Sequence, residues 1–283
     1  MTLVTTATML RQARSGGYAV GAFNVENMEM VQAVVATADR LRAPVILQTT
    51  PGTLGYASLS MFAAMISAQA ATTDVPIAIH LDHGDCFELA AAAVRAGYTS
   101  VMFDGSRRSY DENVDISQRV CQMCHAMDLP VELELGTVGG KEDTLTSTDV
   151  QYTDPDQATE FVATTKADFL AVAIGTAHGP YKGVPQLDVD RLSAIAAQVS
   201  VPLVLHGSSG LSDEAVADCV SRGIAKVNFA TELRAAYLAA AREFLKADAT
   251  AIDPKKMGKP ARAAVSDLVA ARMQVIGCVG RAC

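Results

Sequence analysis

Eight apolar runs rich in valine and isoleucine, each followed by a stretch with helical apolar spacing, leave this chain few architectures. The runs are YAVGAFN (18–24), PVILQT (44–49), PIAIHLD (76–82), TSVMFD (99–104), PVELELG (130–136), DFLAVAIGT (168–176), VPLVLHG (201–207) and IAKVNFA (224–230). Behind the first run, Val31, Val34, Val35, Ala38 and Leu41 share one face, the stripe that lets a helix pack on a sheet. Pro44, Pro76, Pro130 and Pro202 stand at strand entrances, where a missing N–H costs the ladder little. Eight such units in about 250 residues predict an α/β fold, a (β/α)8 TIM barrel. A doubly wound open sheet is the alternative, but the GxGxxG turn expected after its first strand is absent. The expectation is a single barrel domain over residues 1–283, with 248–283 as a C-terminal helical extension.

Two segments exceed the minimal plan. Residues 136–157 form a polar, glycine-containing stretch, long for a βα connection and suited to a lid or binding loop. Residues 259–277 read as an added helix that starts near Pro260 and stops at Gly277. A helix added to a complete barrel often packs on a neighbouring subunit, so a homodimer or homotetramer is expected.

The 283 residues are half hydrophobic, enough for a large core. With 23 basic and 31 acidic residues the net charge is −8, which argues against a nucleic-acid surface but not against a local pocket for a phosphorylated metabolite. No apolar run is long enough for a membrane span, and the N-terminal stretch lacks the apolar core of a signal peptide. The six cysteines are scattered, and CQMC (121–124), with no second CxxC, reads as reduced thiols on a helix. A cytoplasmic enzyme is the resulting expectation.

In a barrel, catalytic groups gather where the strands end. Here those ends carry Asn24, Gln48, Asp82, His83, Asp104, Glu132, Glu134, His178, His206 and Asn228. Three of the five histidines are among them, as three imidazoles of a zinc site or as acid–base groups. Strand alternation turns His80 to the opposite side from His83, so a structural, hydrogen-bonded role is expected for it. HGSSG (206–210) supplies small residues, and NFATEL (228–233) opens a helix whose N-terminus favours an anion; barrels frequently bind phosphate there.

The motifs HLDHGD, MFDGS, VELELGTVGGKED, GTAHGPYKG, LHGSSGL and KVNFATEL, in this order, resemble the class II, metal-dependent ketose-bisphosphate aldolases, the group of the fructose- and tagatose-1,6-bisphosphate enzymes. The likeness runs from YAVGAFNVENME to MQVIG, nearly the whole chain. It implies Zn2+ on His83, His178 and His206, with Asp104 and Glu134 near an alternative ion position. It implies Asp82 as the acid–base residue at the C4 hydroxyl and Glu142 as the group moving a proton on the dihydroxyacetone phosphate carbon. Gly179, Gly207, Ser209, Ala230 and Thr231 align with a phosphate cradle, Lys182 near it, and Asn228 with a contact to the triose backbone. Some members also bind a monovalent cation, Na+ or K+, beside the cradle.

The implied reaction is cleavage of a ketose 1,6-bisphosphate to dihydroxyacetone phosphate and glyceraldehyde 3-phosphate through a zinc-stabilised enediolate. Arg107, where many relatives carry a histidine, and Arg272, which aligns loosely with an arginine supplied by the partner subunit, are candidates for the distal phosphate. Arg107 and Arg108 read equally well as solvated arginines at a helix start. Two rival readings stay open. Lys226, two residues before Asn228, can serve a Schiff-base aldolase. A barrel of this kind can also be a non-catalytic sugar-phosphate binder.

Overall fold

The computed structural model describes residues 3–142, 145–147, 151–179, 183 and 185–282; for 141–142 and 145–147 only the backbone is described. Eight parallel strands close into a barrel, and all eight expected runs form them. They are β1 (Val20–Asn24), β2 (Val45–Thr49), β3 (Ile77–Gly84), β4 (Ser100–Phe103), β5 (Val131–Leu135), β8 (Phe169–Val172), β10 (Leu203–Leu205) and β11 (Ile224–Phe229). Around the closed sheet the order is β1-β11-β10-β8-β5-β4-β3-β2. Pro44, Pro76, Pro130 and Pro202 each immediately precede the first residue of a strand, so none removes a donor from within the ladder.

Every residue of these strands is buried, because one face fills the barrel and the other meets helices. The helices are α1 (Thr6–Gly16), α2 (Met28–Leu41), α3 (Pro51–Tyr56), α4 (Leu59–Ala70), α5 (Phe87–Ala96), α6 (Tyr110–His125), α7 (Pro155–Thr165), α8 (Val189–Gln198), α9 (Asp213–Ser221), α10 (Thr231–Ala247) and α11 (Pro254–Val275). Their starts follow local chemistry. Asn27, Ser58, Asp154, Asp188 and Ser212 cap α2, α4, α7, α8 and α9 through their side chains, and Ser109 with Glu112 forms a capping box on α6. No helix among the described residues is long and apolar enough to cross a membrane.

Three features differ from the sequence reading, and one, the N-terminal helix, is not anticipated by it. Residues 136–157 are not simply a loop. They carry β6 (Gly139–Glu142) and β7 (Leu145–Ser147), an antiparallel pair that joins β9 (Ala177–His178) in a small separate sheet. The added helix starts at Pro254 behind the side-chain cap of Asp253, so Pro260 lies inside it rather than at its start. The N-terminal stretch forms α1, whose Thr6 Oγ1 donates to Ser100 Oγ at 2.8 Å.

The remaining correction concerns β3. The β3–β4 register advances from Leu81↔Val101 to Gly84↔Phe103, three residues against two. This is a β-bulge, and His83 sits in it with a left-handed φ of 49°. The extra residue resets the alternation, so His80, Asp82 and His83 all reach the barrel interior. Simple period-2 counting had put His80 and His83 on opposite sides.

Candidate active site

At the C-terminal ends of β3, β9 and β10 the three histidines converge. Ring nitrogens of His83, His178 and His206 all lie within 4.8 Å of one another. The rings meet edge to face, with centroids 4.6 Å apart for His83 and His206 and 5.2 Å for His83 and His178. Among the described residues, carboxylates orient His83 and His206. His83 Nδ1 lies 2.8 Å from Asp104 Oδ2, and His206 Nε2 lies 2.9 Å from Glu132 Oε1. With those nitrogens carrying the protons, the lone pairs of His83 Nε2 and His206 Nδ1 face each other at 2.9 Å. Two such lone pairs repel unless a cation or a proton lies between them. A carboxylate on the outer nitrogen of a histidine is the usual support of a metal ligand. The donor set therefore fits a divalent metal. A second group that can hold one combines His83, Asp104 and Glu134, with Glu134 Oε2 at 4.0 Å from His83 Nδ1 and 3.7 Å from His206 Nδ1.

Below the histidines the barrel interior is polar and fully buried. Lys226 Nζ lies 2.8 Å from Glu132 Oε2, and both side chains have no exposed surface. His80 Nε2 stands 3.6 Å from the same oxygen, and His80 Nδ1 pairs with Ser100 Oγ at 2.8 Å. Burial, reinforced by the Lys226 charge, holds His80 well below the usual histidine range, so it is neutral. Burial pushes the Glu132 carboxyl up, but Lys226 and His206 together outweigh it and keep it ionised. Asp104 behaves alike: burial raises it, and His83 brings it below the ordinary carboxylate range.

Asp82, with no exposed surface, accepts from Asn24 Nδ2 on one oxygen at 2.8 Å and from Asn228 Nδ2 on the other at 3.0 Å. Gln48 Nε2 in turn donates to Asn24 Oδ1 at 2.8 Å. A carboxylate only accepts, so this chain settles which way both asparagine amides point. Asp82 is thus fixed one residue before His83 and beside the histidine cluster, as a proton carrier at a metal needs to be.

Gly179, Gly207, Ser209, Asn228, Ala230 and Thr231 line one pocket together with Asn24, His178, Ser208 and Arg234. Ala230, the residue before α10, gives that helix no side-chain cap, and with Thr231 it places the start of the helix on the pocket wall. Ser208 Oγ is tied to the Asn228 carbonyl. Gly207 (φ +65°), just after β10, and Gly140 (φ +94°), on β6, pack against β9: a Cβ on Gly207 would come within 2.7 Å of the Ala177 carbonyl carbon, and one on Gly140 would overlap the His178 carbonyl. Gly140→Ala is therefore expected to destabilise the protein by about 1–3 kcal/mol and to weaken metal binding, read by thermal denaturation and a chelator competition. Unchanged metal affinity in that variant would show that His178 is positioned by other contacts.

Some sequence candidates lie elsewhere. Arg107 is exposed on the turn after β4, and Arg108 donates to the Asp85 carbonyl at 3.0 Å. Arg272 on α11 pairs with Asp213 at 2.6 Å and Glu232 at 2.9 Å of its own chain. Neither Arg107 nor Arg272 lines the pocket. Lys182 and the side chain of Glu142 lie outside the described residues. Cys121 and Cys124 are buried on α6 as free thiols, both pushed up by burial, Cys124 to about 12. Sequence reasoning passed over Arg234 and its partner Glu26, which follow a cradle motif and a strand end but stand 208 residues apart.

The family model for class II fructose-bisphosphate aldolase matches residues 4–281. The YdjI aldolase of Escherichia coli K12 is similar at 34% identity with a TM-score of 0.88, covering 99% of both chains. A Coccidioides immitis protein provisionally designated a fructose-1,6-biphosphate aldolase is 30% identical with a TM-score of 0.89, over 97% of this chain and 96% of its own. The fructose-bisphosphate aldolase of Campylobacter jejuni, at 20% identity and a TM-score of 0.82 over 98% and 96%, shares the fold. With a closed barrel and a histidine cluster at its strand ends, this chain belongs to the class II fructose-bisphosphate aldolase family, a family of carbon–carbon lyases.

Proposed function

We propose that the protein reversibly cleaves a ketose 1,6-bisphosphate, tagatose or fructose, to dihydroxyacetone phosphate and glyceraldehyde 3-phosphate, with Zn2+ held by His83, His178 and His206. The observation that carries this reading is the placement of Asp82, held by two asparagine amides, beside three convergent imidazoles. When bound, a divalent ion supplies a Lewis acid for the negative charge that develops as the carbon–carbon bond breaks.

The chain's own residues do the rest. Asp82 takes the proton of the C4 hydroxyl and returns it in the aldol direction, while Asn24 and Asn228 keep its oxygens aimed. Gly179, Gly207, Ser209, Ala230 and Thr231 hold the phosphate on backbone N–H groups and the α10 N-terminus, and the resemblance adds Lys182 as a further phosphate ligand. Asn228 contacts the triose backbone. Glu142, at the end of β6, moves the proton on the triose carbon, and the hairpin around it excludes water. A homodimer or homotetramer, and Na+ or K+ beside the cradle, belong to the same proposal.

The Schiff-base alternative fares worse, because Lys226 is fully buried and ion-paired with Glu132. The deciding test is cleavage of a panel of ketose bisphosphates before and after metal removal. Chelation is expected to abolish turnover, and Zn2+ to restore it. Turnover that survives chelation, with a borohydride-trapped lysine adduct, would overturn the metal reading.

A further inference from the structure

The phosphate pocket contains one fixed cation that the family motifs do not mark. Arg234 lies in the first turn of α10 and is the only arginine or lysine among the described residues lining that pocket. Its Nε donates to Glu26 Oε1 at 2.7 Å, and Glu26 Oε2 accepts from Thr53 Oγ1 at 2.8 Å. One side chain from the β1–α2 connection, one from α3 and one from α10 thus form a single chain of contacts at the pocket edge. Both oxygens of Glu26 are engaged, so the carboxylate has a defined orientation, and bonding through Nε sets the plane of the guanidinium.

As a stability device this pair would count for little. The side chains of Arg234 and Glu26 are 32% and 24% exposed, and ion pairs in such positions contribute little net stability. As a recognition device it suits the pocket. A phosphate monoester carries close to two negative charges at neutral pH. Uncapped backbone amides supply only partial positive charge, whereas a guanidinium of fixed plane adds a full one and matches the phosphate oxygens geometrically.

We propose that Arg234 is a phosphate-binding residue of this site, with Glu26, itself held by Thr53, as the positioning residue that sets its orientation. The assignment rests on the aldolase reading of the pocket, and its test separates the two. Inorganic phosphate is titrated into the purified protein by calorimetry, a measurement that needs no turnover, and KM and kcat are then determined with fructose and tagatose 1,6-bisphosphates. Arg234→Gln is expected to weaken phosphate binding and raise KM roughly tenfold or more, with kcat much less affected. Arg234→Lys should recover part of the loss, because it keeps the charge and not the fork.

Glu26→Gln is expected to weaken phosphate binding by a smaller factor, since it preserves shape but loosens the guanidinium. Thermal denaturation of each variant checks that the barrel is intact. Phosphate binding and KM unchanged in Arg234→Gln would reduce the pair to a surface brace and overturn the proposal. Tighter phosphate binding in Glu26→Gln would show that its charge acts only by repulsion and would overturn the positioning role. If the wild type cleaves no ketose phosphate, the aldolase reading fails, and the phosphate titrations still decide the role of Arg234.

Discussion

Asp82→Asn is expected to lower kcat by roughly 10²–10⁴-fold while leaving the barrel folded. The variant removes the one group beside the histidine cluster that can accept a proton while its oxygens are held by Asn24 and Asn228. It also puts an amide N–H₂ where only acceptors stood, opposite a donor. The site has a way to absorb that change. Asn228 Oδ1 is buried with no hydrogen-bond partner among the described residues, so its amide can turn over and accept from the new group. The stability cost should then stay near 1 kcal/mol or below, and a chelator competition should find metal affinity close to wild type. Single-turnover cleavage is the decisive measurement. A kcat within about fivefold of wild type would remove Asp82 from the proton path, since a group in that role is worth 10²-fold or more.

The second large effect lies deeper, at the ion pair beneath His206. Lys226→Met keeps most of the side-chain volume but leaves Glu132 ionised in a fully buried place without its cation. Losing one partner of a buried pair typically costs about 3–5 kcal/mol, so urea denaturation should show a shift of that size. Replacing both partners separates stability from positioning. Lys226→Met with Glu132→Gln removes the uncompensated charge and should regain much of the stability. It also takes the carboxylate from His206 Nε2, so metal affinity is expected to fall about 10–100-fold. A Lys226→Met protein within about 1 kcal/mol of wild type would mean that water or rearrangement relieves Glu132 and that the pair is not needed for stability.

The barrel was readable because its signals are local. Four strand entrances carry a proline one residue ahead, and the strands are mostly apolar, as burial on both faces requires, with polar residues kept to the barrel interior and the strand ends. The gathering of polar groups at the strand ends follows from the topology alone. What escaped notice depends on geometry between distant segments. The bulge at His83 inverts a period-2 prediction, and no residue type at 81–84 announces it, because a left-handed histidine is set by the neighbouring strand's register. The β6–β7 hairpin consists of short polar strands that pair with β9, a segment with no strand pattern of its own. Pro260 misled because proline usually opens a helix, whereas Pro254 behind Asp253 does so here. Glu26 and Arg234 became partners only when the barrel closed β1 against β11.

The two glycines that back onto β9 bear on how a barrel of this kind can diversify. Gly140 faces the backbone of His178 and Gly207 that of Ala177, so main chain meets main chain on both contacts. The position of that imidazole is thereby insulated from side-chain drift in the surrounding loops. Residues at the rim, such as Arg107 on its exposed turn or Glu26 at the pocket edge, can be exchanged without displacing it. Reactivity and selectivity then reside in parts of the molecule that can change at different rates.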